Sequence, residues 1–154
     1  MQPYWIRRAN AGDLPALFLA EGGETEGLRE YLRRHLNWQA EGTCAFLIAL
    51  ADDGRAAGRL FVLFDDSMPP DYQTVLPSLA DLLVYPPFRR QGVAGALLAA
   101  GEWEAFARSE RIFLTVEAGE TLAFARRLYE KHGFAAVKSR GEDPVCMIKT
   151  RNTL

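Results

Sequence analysis

The sequence predicts an α/β domain built on a mixed sheet, and three observations carry that expectation. Short apolar runs of strand length alternate with stretches whose apolar residues recur at helical spacing. A strong hairpin signal, Asp52-Asp53-Gly54, joins two of those runs, so part of the sheet is antiparallel. A helical segment separates the strand at Leu79–Tyr85 from the one at Arg111–Glu117, which builds a right-handed crossover and a parallel pair.

Composition bounds the function. At 154 residues, 49% hydrophobic and 25% charged, the chain can bury its own core and is expected to form a single domain over residues 1–154. Eighteen basic against twenty acidic residues give a net charge of −2, which offers no broad basic surface for nucleic acid. The arginines fall in pairs, Arg33-Arg34, Arg89-Arg90 and Arg126-Arg127, which suits local anion sites. Cys44 and Cys146 lie in apolar runs and read as small buried hydrophobes of a reducing compartment; no metal site is expected from them. No basic leader precedes an apolar core and no apolar run reaches membrane-spanning length. A cytoplasmic protein without membrane partners is the expectation.

The elements follow in order. Trp5 to Arg8 forms a short strand, and Asn10 to Asp13 caps a helix through Leu14, Leu17 and Phe18, with Pro15 in its first turn. Gly22-Gly23 breaks the pattern before a second helix over Thr25 to Ala40, which Gly42 ends. Cys44–Ala51 and Ala57–Phe64 make the antiparallel pair, and Asp65 to Pro77 reads as a long irregular connection. The central strand is stopped by Pro86-Pro87. From Gly92 the period becomes helical through Val93, Ala96, Leu97, Ala100 and Trp103. Thr121 to Lys131 forms the last helix, closed by Gly133, and Phe134–Lys138 and Val145–Thr150 make a final strand pair around the turn Ser139–Pro144.

The chemistry gathers between the central strand and its helix, at Arg89, Arg90, Gln91, Gly92, Val93, Ala94 and Gly95. A helix start carries unpartnered N–H groups and the positive end of the macrodipole, so it binds anions. Gly92 lets a ligand approach the backbone, and the arginines offer forked donors to phosphate. A pyrophosphate fits. The Lys-Ser or Lys-Thr of a P-loop is missing, and Gly92–Leu97 departs from the G-x-G-x-x-G of dinucleotide folds.

Arg89, Gly92 and Ala94 do satisfy the acyl-CoA signature of the GNAT superfamily of N-acyltransferases: Arg or Gln, two residues, Gly, one residue, Gly or Ala. The stretch resembles it closely, with Val84-Tyr85-Pro86 and Phe88 as the usual lead-in. A second segment, Ala125-Arg-Arg-Leu-Tyr129-Glu-Lys-His-Gly133-Phe134, is similar to that superfamily's other conserved region. The resemblance implies a GNAT-like mixed, mostly antiparallel sheet with helices on both faces and a central parallel strand pair. It further implies acetyl-CoA as co-substrate, acetyl transfer to a primary amine in a ternary complex, and first helices that wall the acceptor pocket. A backbone N–H of Leu83 or Val84 would polarise the thioester carbonyl, and Tyr129 would protonate the leaving sulfur as general acid. The family's asparagine seven residues before the tyrosine is here Leu122, with Glu120 or Thr121 as substitutes.

The residues themselves offer Asp81, a carboxylate inside an apolar strand, and Glu117, at the end of its neighbour, as candidate general bases; each could equally be a salt-bridge partner. His35, Trp38 and Tyr72 are minor candidates for the pocket wall, and Glu21, Glu24 and Glu26 could attract a cationic amine or simply be solvated. The acceptor, a small-molecule amine or a protein or peptide amine, is not specified, and the oligomeric state, a homodimer included, stays open. The alternative reading is a non-catalytic acyl-CoA-binding regulatory module on the same fold.

Overall fold

Three adjacent antiparallel strands form the centre of the molecule: β2 (Cys44–Ala51), β3 (Ala56–Ser67) and β4 (Val75–Val84). The structure, a computed structural model, describes residues 4–69, 72–116, 122–137 and 145–151. A strand with both faces covered needs apolar side chains on both, and β2 and β3 supply them: Phe46, Ile48, Leu60, Phe61 and Val62 are all fully buried. β1 (Tyr4–Arg8) pairs with β2 at one edge. On the far side of β4 come β5 (Arg111–Val116), β7 (Val145–Thr150) and the short β6 (Ala135–Ala136), giving the seven-stranded order β1-β2-β3-β4-β5-β7-β6. Among the described strands only β4 and β5 are parallel. The sheet is therefore mixed and mostly antiparallel, as the sequence leads one to expect.

Strand alternation sends neighbouring residues of β3 to opposite layers. Gly58 and Leu60 face α3 (Val93–Phe106): a Cβ on Gly58 would lie 3.0 Å from Leu97 Cδ1, and one on Gly101 would lie 2.7 Å from Leu60 Cδ2. These two glycines are where helix and sheet touch most closely. Arg59 and Phe61 face the other layer, formed by α1 (Leu14–Ala20) and α2 (Glu26–Glu41), where His35 stacks on Phe61 with centroids 3.7 Å apart. α4 (Leu122–Lys131) lies beside α3, its C-terminal neighbour His132 packed where a Cβ on Gly95 would sit, 3.3 Å away. Helix ends follow their caps: the Thr25 hydroxyl accepts from the Leu28 N–H at 3.1 Å, and Gly42 closes α2 at φ 87°.

One expectation needs correction. The Asp65–Pro77 stretch begins and ends in strand, which shortens the irregular connection, because the β3–β4 ladder continues to Asp66 opposite Leu76 and Ser67 opposite Val75. The register slips between Leu63 and Asp66, so Phe64 and Asp65 oppose Pro77, and a bulge tolerates a proline that a regular ladder would not. Ser78 Oγ then donates to Asp66 at 2.7 Å. The Ser139–Pro144 turn lies outside the described residues.

Candidate active site

A parallel pair of strands ordinarily bonds along its length, but β4 and β5 share a single ladder partnership, Ser78 with Phe113. Beyond it the strands part. The reason lies in β4: Leu83 pairs with Arg59 and Ala80 with Phe61, so Asp81 and Leu82 together oppose Leu60. This is a β-bulge, and Asp81 sits in it at φ 56°. The parting opens a cleft of about 230 Å³, lined by Asp81 and Leu82 of β4, Leu114 and Thr115 of β5, Leu98 of α3 and Tyr129 of α4. It lies alongside the two parallel strands, and its lining also takes in Ser78, Leu79 and Ala80 of β4 and Asp66 of β3.

The structure separates the two backbone candidates. The Val84 carbonyl accepts from Arg89 Nε at 3.1 Å, away from β3, and in a strand a residue's N–H points to the same edge as its carbonyl. Tyr85 N–H donates to Ala57 at 2.9 Å, and ladder alternation then turns Leu83 toward β3 as well. Val84 alone of the pair presents its N–H to the open side.

After a single 3-10 turn at Pro86–Phe88, the chain enters α3 through Arg89 to Gly92. Arg90 is left-handed at φ 64° and Gly92 at φ 84°. The first bond within the helix runs from Ala96 N–H to Gly92 O at 3.1 Å, so the N–H groups of Val93, Ala94 and Gly95 have no acceptor inside the helix, and no side chain caps them. Arg89 and Arg90 are exposed beside them. The Gln91 side chain is committed elsewhere: its Oε1 accepts from the Tyr4 hydroxyl, and its Nε2 donates to Pro87 O at 3.1 Å. It holds the loop in shape and leaves only its backbone for a ligand.

Tyr129 is half-buried with its ring edge-on to Phe134 at 6.2 Å, and burial pushes its pKa above the ordinary phenol value. It is protonated at neutral pH. Its hydroxyl has no hydrogen bond among the described residues. Glu117, Glu120 and Thr121 lie outside those residues, as does the side chain of Leu122.

Asp81 has a different setting. It accepts from Arg59 at 2.8 Å and from the Tyr31 hydroxyl at 2.5 Å. Burial works to raise its pKa, but those two bonds outweigh it and hold the carboxyl below the usual range. Arg59, only 4% exposed, donates with its other edge to Glu21 at 2.8 and 3.2 Å, and Glu21 also accepts from the Tyr85 hydroxyl at 2.5 Å. Burial works against the charge on Arg59, and its two carboxylate partners more than restore it. Arg59, Tyr31 and Tyr85 escape a reading by pattern, although a lone arginine in an apolar strand demands a buried partner and could have signalled them. Glu21 is thus pinned inside, and Glu24 pairs with Arg29 at 2.6 Å on the surface.

His35 is a packing group. It is buried between Phe61, Tyr31 and Trp38, its Nδ1 lies 2.8 Å from Tyr31 O, and burial lowers its pKa so that the ring is neutral. The Nδ1 proton is therefore the one it donates, since a carbonyl only accepts.

The model of the acetyltransferase (GNAT) family matches residues 13–134, and the chain belongs to that family. No curated protein matches it. Among solved structures, PaiA N-acetyltransferase from Thermoplasma acidophilum in complex with coenzyme A is 19% identical, with 96% of this chain and 99% of that chain covered and a TM-score of 0.68. A GNAT superfamily phosphinothricin acetyltransferase from Sinorhizobium meliloti in complex with AcCoA is 17% identical, covers 97% and 89%, and has a TM-score of 0.72. Ribosomal-protein-alanine N-acetyltransferase from Brucella melitensis is 22% identical over 96% and 99%, at 0.69. These likenesses establish the shared fold.

Proposed function

We propose that the chain is an N-acetyltransferase that moves an acetyl group from acetyl-CoA to a primary amine by direct transfer in a ternary complex. The observation that carries this reading is the open seam between β4 and β5, lined by Tyr129, together with the unpaired N–H groups at the start of α3. An extended acyl-pantetheine has the shape of the missing strand, and its pyrophosphate would meet Val93, Ala94 and Gly95 with Arg89 and Arg90 alongside. The relatives from T. acidophilum and S. meliloti, solved with coenzyme A and AcCoA, support that occupant.

In the reaction the amine nitrogen attacks the thioester carbon and the carbonyl oxygen gathers negative charge. Val84 N–H is turned to receive it. The carbon–sulfur bond then breaks, the electron pair leaves on sulfur, and the Tyr129 hydroxyl supplies the proton. Asp81, ionised and shared between Arg59 and Tyr31, is a weak base; Glu117, the residue after β5, is the carboxylate left for the amine proton.

Thermal unfolding with acetyl-CoA, and with NAD and ATP as controls, tests the reading. Acetyl-CoA at a hundredfold over its dissociation constant stabilises by about 2.7 kcal/mol, and the controls do not. No shift at millimolar acetyl-CoA overturns it. A shift without thiol release across a panel of diamines, amino acids and peptides would make the chain a binding module instead.

A further inference from the structure

We infer that Asp81 and Arg59 form a clamp that sets the position of Val84 N–H, so that Asp81 is a positioning residue and not the proton acceptor; this rests on the acetyltransferase reading above. Three non-glycine residues have positive φ among those described, Tyr72, Asp81 and Arg90, and of these only Asp81 lies within a strand. A left-handed conformation costs an L-residue about 1–2 kcal/mol, so something must hold the bulge in place.

The bonds show what holds it. Arg59 grips Asp81 at two points, its carboxylate at 2.8 Å and its own carbonyl at 3.4 Å. Tyr31 of α2 fixes the same carboxylate oxygen from the other side. Arg59 cannot follow a moving partner, because it is buried and its far edge is bonded to Glu21. Glu21 in turn takes the hydroxyl of Tyr85. The connections therefore run from Asp81 through Arg59 and Glu21 to Tyr85, and Val84 is the residue just before Tyr85. Both ends of the segment that carries the N–H turned away from β3 are tied to one buried guanidinium, Asp81 directly and Tyr85 through Glu21. An oxyanion donor works only if it is fixed where charge develops, and a misplacement of about 1 Å costs up to about a hundredfold in rate.

Two substitutions at one position separate the possible roles. Glycine adopts φ 56° without strain, so Asp81→Gly keeps the bulge and the fold but cuts the tether. Asparagine tolerates the left-handed region and keeps an acceptor oxygen for Arg59, but cannot take up a proton. The expected result is that Asp81→Gly lowers kcat about tenfold or more with the acetyl-CoA KM little changed. Asp81→Asn retains most of kcat and the acidic limb of the pH profile. In ligand-free protein the Val84 amide resonance is a single sharp line in the wild type and in Asp81→Asn, and broadens in Asp81→Gly.

Wild-type kcat in Asp81→Gly would overturn the clamp, since the ladder alone would then set the bulge. Loss of activity in Asp81→Asn equal to that in Asp81→Gly, with the acidic limb gone, would restore Asp81 as the base and overturn it too. If the wild type releases no thiol from acetyl-CoA, the acetyltransferase reading has failed, and the Val84 line width decides the clamp by itself: an unchanged line in Asp81→Gly ends it.

Discussion

The two banks of the cleft are built on opposite plans. Behind β4 the polar side chains are committed: Tyr31 and Tyr85 are bonded to carboxylates, Arg59 is shared between two of them, and both phenols are pushed far above their ordinary pKa by burial and those acidic partners. On the opposite bank Tyr129 is shifted by burial alone, and no carboxylate among the described residues touches its hydroxyl. Of the three tyrosines, two hold shape and only Tyr129, with its hydroxyl unbonded among the described residues, lines the cleft. A phenol locked to a carboxylate has its proton already spoken for; a desolvated phenol facing a cleft does not.

Removing the guanidinium is the strongest way to break that contrast. Arg59→Met leaves the largely buried Glu21 without its cation, while Asp81, 44% exposed, stays solvated, and costs about 3 kcal/mol, measured by urea unfolding. Next is the opposite bank: Tyr129→Phe keeps the ring packed on Phe134 and lowers kcat about a hundredfold, while acetyl-CoA affinity holds. Free-thiol release measures the first and calorimetry the second. An unchanged kcat removes Tyr129 from the reaction and makes the two banks alike.

The smallest effect sharpens the comparison through pH. His35, packed behind the β4 bank, has a pKa lowered by burial from 6.5, so the unfolded chain takes up a proton before the folded one does. Stability therefore falls as pH drops below about 6.5, by at most about 1.4 kcal/mol per unit. His35→Gln flattens that slope in urea unfolding at pH 7.5 and pH 5.5; an unaltered slope would show that the ring is protonated within the fold.

What the sequence displayed and what it concealed divide along the same line. The Asp52–Gly54 hairpin, the capping segment from Asn10 and the helix start at Gly92 are local signals, each written in a few consecutive residues, and each lies where it was expected; Thr25, expected as the first helical residue, is the cap of α2. The Asp81 bulge is not local. It depends on the register of β3 against β4, and neither glycine nor asparagine marks the spot. Arg59 and Asp81 are 22 positions apart and Glu21 is 38 from Arg59, so their union appears only when the strands are laid side by side. The same holds for Gln91, which has the composition of a phosphate-loop residue but is claimed by Tyr4, 87 positions earlier. Identity of residue type was legible, and partnership was not.

The single rung between β4 and β5 has a mechanical meaning beyond making room. Each strand is laddered firmly to its outer neighbour, β3 on one side and β7 on the other, so the sheet is two stiff ribbons stitched at Ser78 and Phe113. Amide hydrogen exchange along the inner edges of β4 and β5 is expected to be faster than within either ribbon. On the acetyltransferase reading, acetyl-CoA lying in the seam would supply the stitches the sequence omits and join the two ribbons.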